Sequence, residues 1–161
     1  MTMRFAGVLV FLVILGLAGC QRGAQVPELV ISEVWSRPVA LAQPDSGAAM
    51  EQMHHAGSNG VVYLQIENRG AAADRLLRAT SEVCAVTELH ETIMQGDRMR
   101  MQPVTSGLEV PAHGRLQLSP GGHHIMLMNL KRDLAAGDSI AVLLEFEKSG
   151  SQTVFSHVRQ P

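Results

Sequence analysis

Glu88-Leu89-His90-Glu91-Thr92-Ile93-Met94-Gln95-Gly96-Asp97-Arg98-Met99-Arg100-Met101 is the stretch of sequence that decides the fold. The turn-forming pair Gly96-Asp97 divides it into two strand-like halves and suits the centre of a type II′ turn, so the stretch predicts a β-hairpin. This turn places His90 diagonal to Met101, whereas a turn at Gln95-Gly96 would place them directly opposite each other. Both registers put the histidine and the methionines on one face of the hairpin.

Short runs rich in Val, Ile, Leu and Thr surround this hairpin, and turn-forming residues separate them. Such runs are typical of β-strands joined by turns. The predicted strands cover residues 29–35, 60–67, 85–94, 98–102, 114–118, 123–129, 139–147 and 152–158, with weaker candidates at 75–80 and 107–110. Because no clear amphipathic helix accompanies them, the chain is predicted to be a single all-β sandwich domain.

The N-terminus has the layout of an export signal, with a short basic start and an apolar run from Phe5 to Gly19. A membrane-spanning helix needs about 20 apolar residues, so this run is short for one and predicts a cleaved signal peptide at 1–19. An uncleaved anchor helix is the alternative. We expect residues 20–28 to be a flexible tether and residues 29–160 to form the folded domain.

The end of the apolar run, Leu17-Ala18-Gly19-Cys20, resembles the lipobox of bacterial lipoproteins. The resemblance implies that Cys20 is lipidated and becomes the mature N-terminus, which tethers the domain to a membrane. With Gln21 following the cysteine, it further implies a periplasm-facing envelope location, and the outer membrane is favoured if the host has two membranes.

Charge and cysteine content limit the possible partners and cross-links of the chain. The chain carries a net charge of −2 and no cluster of Lys and Arg, which argues against nucleic acid as a partner. Removing residues 1–19 from the 161 leaves 142, enough for one packed core, with Cys84 as the only thiol besides Cys20. We therefore expect no disulfide, and Cys84 is either buried or reactive.

A second motif, His123-His124-Ile125-Met126-Leu127-Met128, follows a Pro-Gly-Gly turn. Strand alternation puts His124 and Met126 on one face and His123 on the other. Together with His90 and Met101 they form a set of two imidazoles and two thioethers, which suits Cu(I) better than Zn²⁺, Mg²⁺ or Ca²⁺. Thioethers also suit an exported protein, because they cannot oxidise to a disulfide. The alternative is that the methionines fill the core.

These residues resemble the PCuAC family of periplasmic copper chaperones over about residues 29–158. The resemblance rests on Trp35 and on segments 63–68, 88–91, 99–104 and 120–128. It implies a cupredoxin-like Greek-key sandwich that binds Cu(I) through His90, Met101, His124 and Met126. It also implies delivery to the copper centre of cytochrome c oxidase, in subunit II, or exchange with a Sco-type protein. Thr92 stands where many relatives carry Met.

Further sulfur and imidazole groups give candidates for auxiliary ligands. Met94 and Met99 share the ligand face of the hairpin. The long irregular stretch 38–59 holds a second cluster, which could take Cu(II) or be a solvated loop. Its candidate ligands are Met50, Met53, His54 and His55. We expect His113, His123, His157 and Glu91 to have no ligand role.

Two other functions compete with a copper chaperone. An electron-transfer cupredoxin would need a Cys thiolate among its ligands, and Cys84 lies upstream of the His/Met hairpin. A metal-free interaction lipoprotein would use the methionines for packing alone. No Ser/His/Asp set and no phosphate loop is apparent, so we do not expect an enzyme. We expect a monomer.

Overall fold

The computed structural model describes residues 26–41 and 58–160, and none of these residues is helical. The ten predicted strands are confirmed, with bounds that differ by at most two residues. They are β1 (Leu29–Ser36), β2 (Gly60–Asn68), β3 (Asp74–Thr80), β4 (Cys84–Gln95), β5 (Arg98–Pro103), β6 (Leu108–Val110), β7 (Arg115–Leu118), β8 (His124–Leu130), β9 (Ser139–Phe146) and β10 (Gly150–Val158).

The strands form one continuous sheet in the order β5-β4-β8-β2-β1-β10-β9-β3-β6, with β7 also paired to β2. β1 joins the two halves because it pairs antiparallel with β2 and, through Trp35 and Ser36, parallel with β10. The register of β1 shifts between Ser32 and Trp35, where Glu33 has a φ of 53°. Such a bulge bends a strand, so that one part of it can pair with one layer and the next part with the other.

The two halves of the sheet enclose a single hydrophobic core. Val62 and Ile125 enter it from the β2 and β8 side, and Leu76 and Leu144 enter it from the β3 and β9 side. The predicted all-β, single-domain sandwich is therefore confirmed. Cys84 is 3% exposed in this core and burial raises the pKa of its thiol, so the buried alternative for this residue is confirmed.

Asp74, at the start of β3, stabilises the turn between β9 and β10. Its buried carboxylate accepts hydrogen bonds from the backbone N–H groups of Arg75, Lys148 and Ser149, at 2.8, 2.9 and 3.0 Å, and from the Ser149 hydroxyl. Burial by itself raises the pKa of Asp74, but these donors outweigh burial and hold its pKa below the ordinary value of 3.8.

Replacing Asp74 with Asn is expected to lower the free energy of unfolding by about 2 kcal/mol at neutral pH, since hydrogen bonds to a charged acceptor are lost. Because the folded pKa is depressed, the stabilisation is complete above the unfolded pKa and disappears as pH falls through the folded pKa. Urea unfolding of both proteins should therefore differ at pH 7 and converge below pH 3.8. Asp97→Asn in the exposed hairpin turn is the control, and an equal deficit there would contradict this role of Asp74.

Several predicted features lie outside the described residues. These are the signal peptide at 1–19, Cys20, the first part of the tether, and the cluster of Met50, Met53, His54 and His55. Within residues 26–41 and 58–160, no helix is long and apolar enough to cross a membrane.

Candidate metal centre

The β4–β5 hairpin turns at Gly96-Asp97, which is the first of the two predicted registers. Gln95 pairs with Arg98, and Gly96 has the positive φ of 63° that a type II′ turn requires at its first central position. Met101 therefore lies opposite Thr92 and diagonal to His90. The alternative register, with the turn at Gln95-Gly96, is wrong.

β8 runs along the other side of β4 and brings the second motif to the same face. His90 lies directly opposite His124, and Glu88 lies opposite Met126. His90 therefore has His124 beside it and a methionine on each diagonal, Met101 on β5 and Met126 on β8. Diagonal neighbours in a sheet lie about 7–8 Å apart, a separation that long side chains can close.

The imidazoles of His90 and His124 lie next to each other at the centre of this sheet face. Their ring centroids are 5.8 Å apart at an interplanar angle of 58°. His124 is 3% exposed, and the His90 side chain is 12% exposed. His90 Nδ1 and His124 Nε2 are buried and have no hydrogen-bond partner among the described residues. A buried ring nitrogen without a partner lowers the stability of the fold, and its lone pair is available to a metal ion.

Burial keeps His124 in the neutral form that a metal ion requires. It lowers the pKa of His124 below the ordinary 6.5 of histidine, and the nearby His90 and His123 lower this pKa further. A hydrogen bond between His124 Nδ1 and the Gly122 carbonyl oxygen, at 3.1 Å, acts in the opposite direction. At neutral pH, the lone pair of Nε2 is therefore free for a ligand.

The methionines of the hairpin are exposed. Met94, Met99 and Met101 are 64%, 69% and 57% exposed, whereas Met126 is half-buried. Filling the core therefore does not explain the three hairpin methionines. Met99, Met101 and His124 line an open cavity of about 700 Å³, which Tyr63 and Arg37 also line. A ligand or protein group can reach the site from this side.

Sequence reasoning gave no role to three residues that support the site. Glu88 Oε2 lies 2.8 Å from His90 Nε2. The Tyr63 ring lies 6.4 Å from His124 and packs against Trp35 at 4.8 Å, both between centroids. The position of Glu88, two residues before His90 and so on the same strand face, was a usable signal. The aromatic contacts depend on the pairing of β1, β2 and β8, which the sequence does not reveal.

The other candidate ligands lie elsewhere. Cys84 is six residues from His90 along β4, which corresponds to about 20 Å at 3.3 Å per residue, so it cannot share an ion with His90. His123 Nδ1 is also buried without a partner among the described residues, but His123 precedes β8 and alternation turns it to the other face. Glu91 lies opposite Gln102, accepts a hydrogen bond from it, and also faces away.

The fold and the site together define an all-β sandwich with two imidazoles and two diagonal thioethers on one sheet face. The chain belongs to the LpqE-like lipoprotein family, since the family described as "Putative lipoprotein LpqE-like" matches residues 29–158. It is 30% identical to "Putative lipoprotein Lxx21020" of Leifsonia xyli subsp. xyli, over 88% of this chain and 81% of that protein. These relatives indicate a lipid-anchored envelope protein.

Solved structures confirm the predicted resemblance to PCuAC domains at the level of the fold. The copper-bound PCuAC domain from PmoF2 has a TM-score of 0.60 and 20% identity, and covers 84% of this chain and 96% of that domain. The apo PCuAC domain from PmoF1 has a TM-score of 0.61 and 22% identity, and the match covers 84% of this chain and 97% of that domain. Apo-DR1885 from Deinococcus radiodurans has a TM-score of 0.53 and 21% identity, with 98% and 97% covered.

Proposed function

We propose that this protein is a copper chaperone that binds one Cu(I) ion through His90, Met101, His124 and Met126. The observation that carries the proposal is the pair of adjacent imidazoles between two diagonal thioethers, each with a buried nitrogen that has no partner in the described part of the chain. The copper-bound state of a PCuAC domain with the same fold supports it. We infer a carrier rather than an enzyme, because the side chains that meet on this face form a donor set for a soft ion.

The donor set favours Cu(I) over other ions. Thioether sulfur is a soft, neutral ligand. Two thioethers and two neutral imidazoles add no negative charge, and their softness matches that of the monovalent Cu(I) ion. Zn²⁺ prefers thiolate, imidazole or carboxylate donors, and Ca²⁺ prefers oxygen donors. Cu(II) could bind the imidazoles alone, at this site or at the histidines of the 50–55 cluster.

A Cu(I) titration under reducing conditions, read by X-ray absorption, tests the proposal. We expect one tight equivalent with both sulfur and nitrogen ligands. Met94 and Met99 pair directly across the hairpin and are exposed, so we propose them as auxiliary ligands that hold a second equivalent more weakly. A first equivalent without sulfur ligands would reject the proposed His/Met site, and no retained copper at all would reject the chaperone and favour a metal-free interaction lipoprotein.

The acceptor is proposed from the same chemistry. A soft ion held by neutral ligands on an open face can pass to a site with thiolate or imidazole ligands, such as the copper centre of cytochrome c oxidase subunit II or a Sco-type protein. We propose that the exchange takes place in the periplasm, where the lipid anchor would hold the domain near a membrane-bound acceptor.

Replacing Cys20 with Ser is expected to release the domain from the membrane fraction, because the acylated cysteine would be its only anchor once residues 1–19 are cleaved. Fractionation and mass measurement of the parent and the variant test this. The variant should keep the parental unfolding temperature and Cu(I) affinity. A membrane-bound parent whose mass includes residues 1–19 would show instead that the apolar segment is the anchor.

A further inference from the structure

The two facing imidazoles are hydrogen-bonded through opposite ring nitrogens. His124 uses Nδ1, which lies 3.1 Å from the Gly122 carbonyl oxygen, and His90 uses Nε2, which lies 2.8 Å from a Glu88 carboxylate oxygen. A carbonyl oxygen only accepts hydrogen bonds, and so does a carboxylate, so both contacts form when these two nitrogens carry the proton. The lone pairs are then left on His124 Nε2 and His90 Nδ1, which are both buried and lack a partner among the described residues.

We propose that Glu88 is a positioning residue that holds His90 in its Nε2-protonated tautomer and so directs the Nδ1 lone pair at the copper ion. The inference rests on the copper-binding function proposed above and adds a residue that is not itself a ligand. The ion is then held by unlike nitrogens, Nδ1 of His90 and Nε2 of His124.

The strand geometry explains how Glu88 can do this. Residues 88 and 90 project from the same face of β4, and Glu88 lies opposite Met126, so its carboxylate stands beside the ligand set. The Glu88 side chain is 40% exposed, compared with 12% for His90. Water can therefore solvate the rest of the carboxylate while one oxygen holds the covered imidazole. A carboxylate in this position fixes both the tautomer and the orientation of a ligand histidine.

His124 has a backbone group in the equivalent place. The Gly122 carbonyl oxygen accepts hydrogen bonds from Nδ1–H and from the backbone N–H of Thr92, the latter at 3.2 Å, so the turn before β8 is tied to β4. No side-chain substitution removes this acceptor. The position of His90, in contrast, depends on one replaceable side chain, which makes Glu88 the point at which the arrangement can be tested.

The test combines ¹⁵N NMR of the imidazoles in the copper-free protein with Cu(I) competition titrations. In the parent we expect His90 to be protonated at Nε2 and not at Nδ1. Glu88→Leu should give averaged nitrogen shifts for His90 and a Cu(I) affinity lowered by about 10–100-fold, the usual cost of losing such a partner. Glu88→Gln retains an acceptor oxygen without the charge, so it should keep the parental tautomer and recover most of the affinity.

Glu91→Leu is the matched control, because it removes the same charge from the same strand on the opposite face. It should leave the His90 shifts and the affinity unchanged. A parent protonated at His90 Nδ1, or a Glu88→Leu variant with parental shifts and affinity, overturns the inference. A parent that does not bind Cu(I) overturns the proposed function, whereas the tautomer, measured without copper, decides separately whether Glu88 sets the state of His90.

Discussion

Replacing His124 with Leu is expected to lower the Cu(I) affinity by more than about a hundredfold, which corresponds to about 2.7 kcal/mol. The reason is the loss of a buried, neutral nitrogen donor that no other described side chain can supply from the same position. The free energy of unfolding of the copper-free protein should stay within about 1 kcal/mol of the parent or rise, because an unpartnered buried nitrogen is replaced by an apolar group. Competition titration and urea unfolding measure the two effects.

The neighbouring histidine provides the control for this variant. His123 precedes His124, faces the other side of the sheet, and should tolerate replacement by Leu without loss of Cu(I) affinity. The combination of a stable fold with lost copper binding is specific to a ligand, since a core residue would lose stability first. Parental affinity in the His124 variant would remove this residue from the site.

The fold was predictable because its signals are local. Each strand shows a run of β-forming residues with turn chemistry at its ends, and the turn residues limit the hairpin to two registers, of which the structure has the one with Gly96-Asp97 at the turn. The hairpin and the strand alternation around His124 also place each His/Met pair on one strand face. That these two faces coincide follows from β8 lying beside β4, and this long-range pairing was supplied by the resemblance to the PCuAC family.

The support around the ligands was less accessible from sequence. The sequence places Glu88 on the same strand face as His90, but only the folded sheet shows its carboxylate 2.8 Å from the imidazole. The contact of Trp35 with Tyr63 arises because β1 and β2 pair with a register shift between Ser32 and Trp35, and local patterns do not encode that shift. The ligand types are thus readable from the sequence, whereas their tautomers and supports require the packed sheet.

The structure also distinguishes the two proposed sulfur ligands, which the sequence alone does not. Met101 lies on β5, an outer strand of the sheet, and is 57% exposed, whereas Met126 is half-buried on β8 between β4 and β2. An incoming ligand can reach the ion from the Met101 side without moving the core. Displacing a neutral thioether leaves no unpaired charge behind, so Met101 is the ligand that an acceptor should replace first.

Copper is expected to pass from this protein to an acceptor by direct exchange, faster than it dissociates into solution. With an apo oxidase copper domain or a Sco-type protein, the transfer rate should rise with acceptor concentration and exceed the rate of loss to a small chelator by about tenfold or more. The reason is that a shared-copper complex avoids the free ion, whose release costs the full binding free energy. Stopped-flow measurements with increasing acceptor concentration provide the test.

Methionine variants connect this exchange to the asymmetry of the site. Met101→Ile and Met126→Ile should both weaken Cu(I) binding and change the free energy of unfolding by less than about 1.5 kcal/mol, since size and apolarity are kept. Only Met101→Ile should also reduce the dependence of transfer on acceptor concentration, because the displaceable ligand is already gone and copper leaves more readily by itself. Met128→Ile, on the same face of β8 but opposite Val86, is the control and should transfer like the parent. A parental rate that does not depend on acceptor concentration and equals the loss to the chelator would mean leakage, and copper storage would then be the better account of the site.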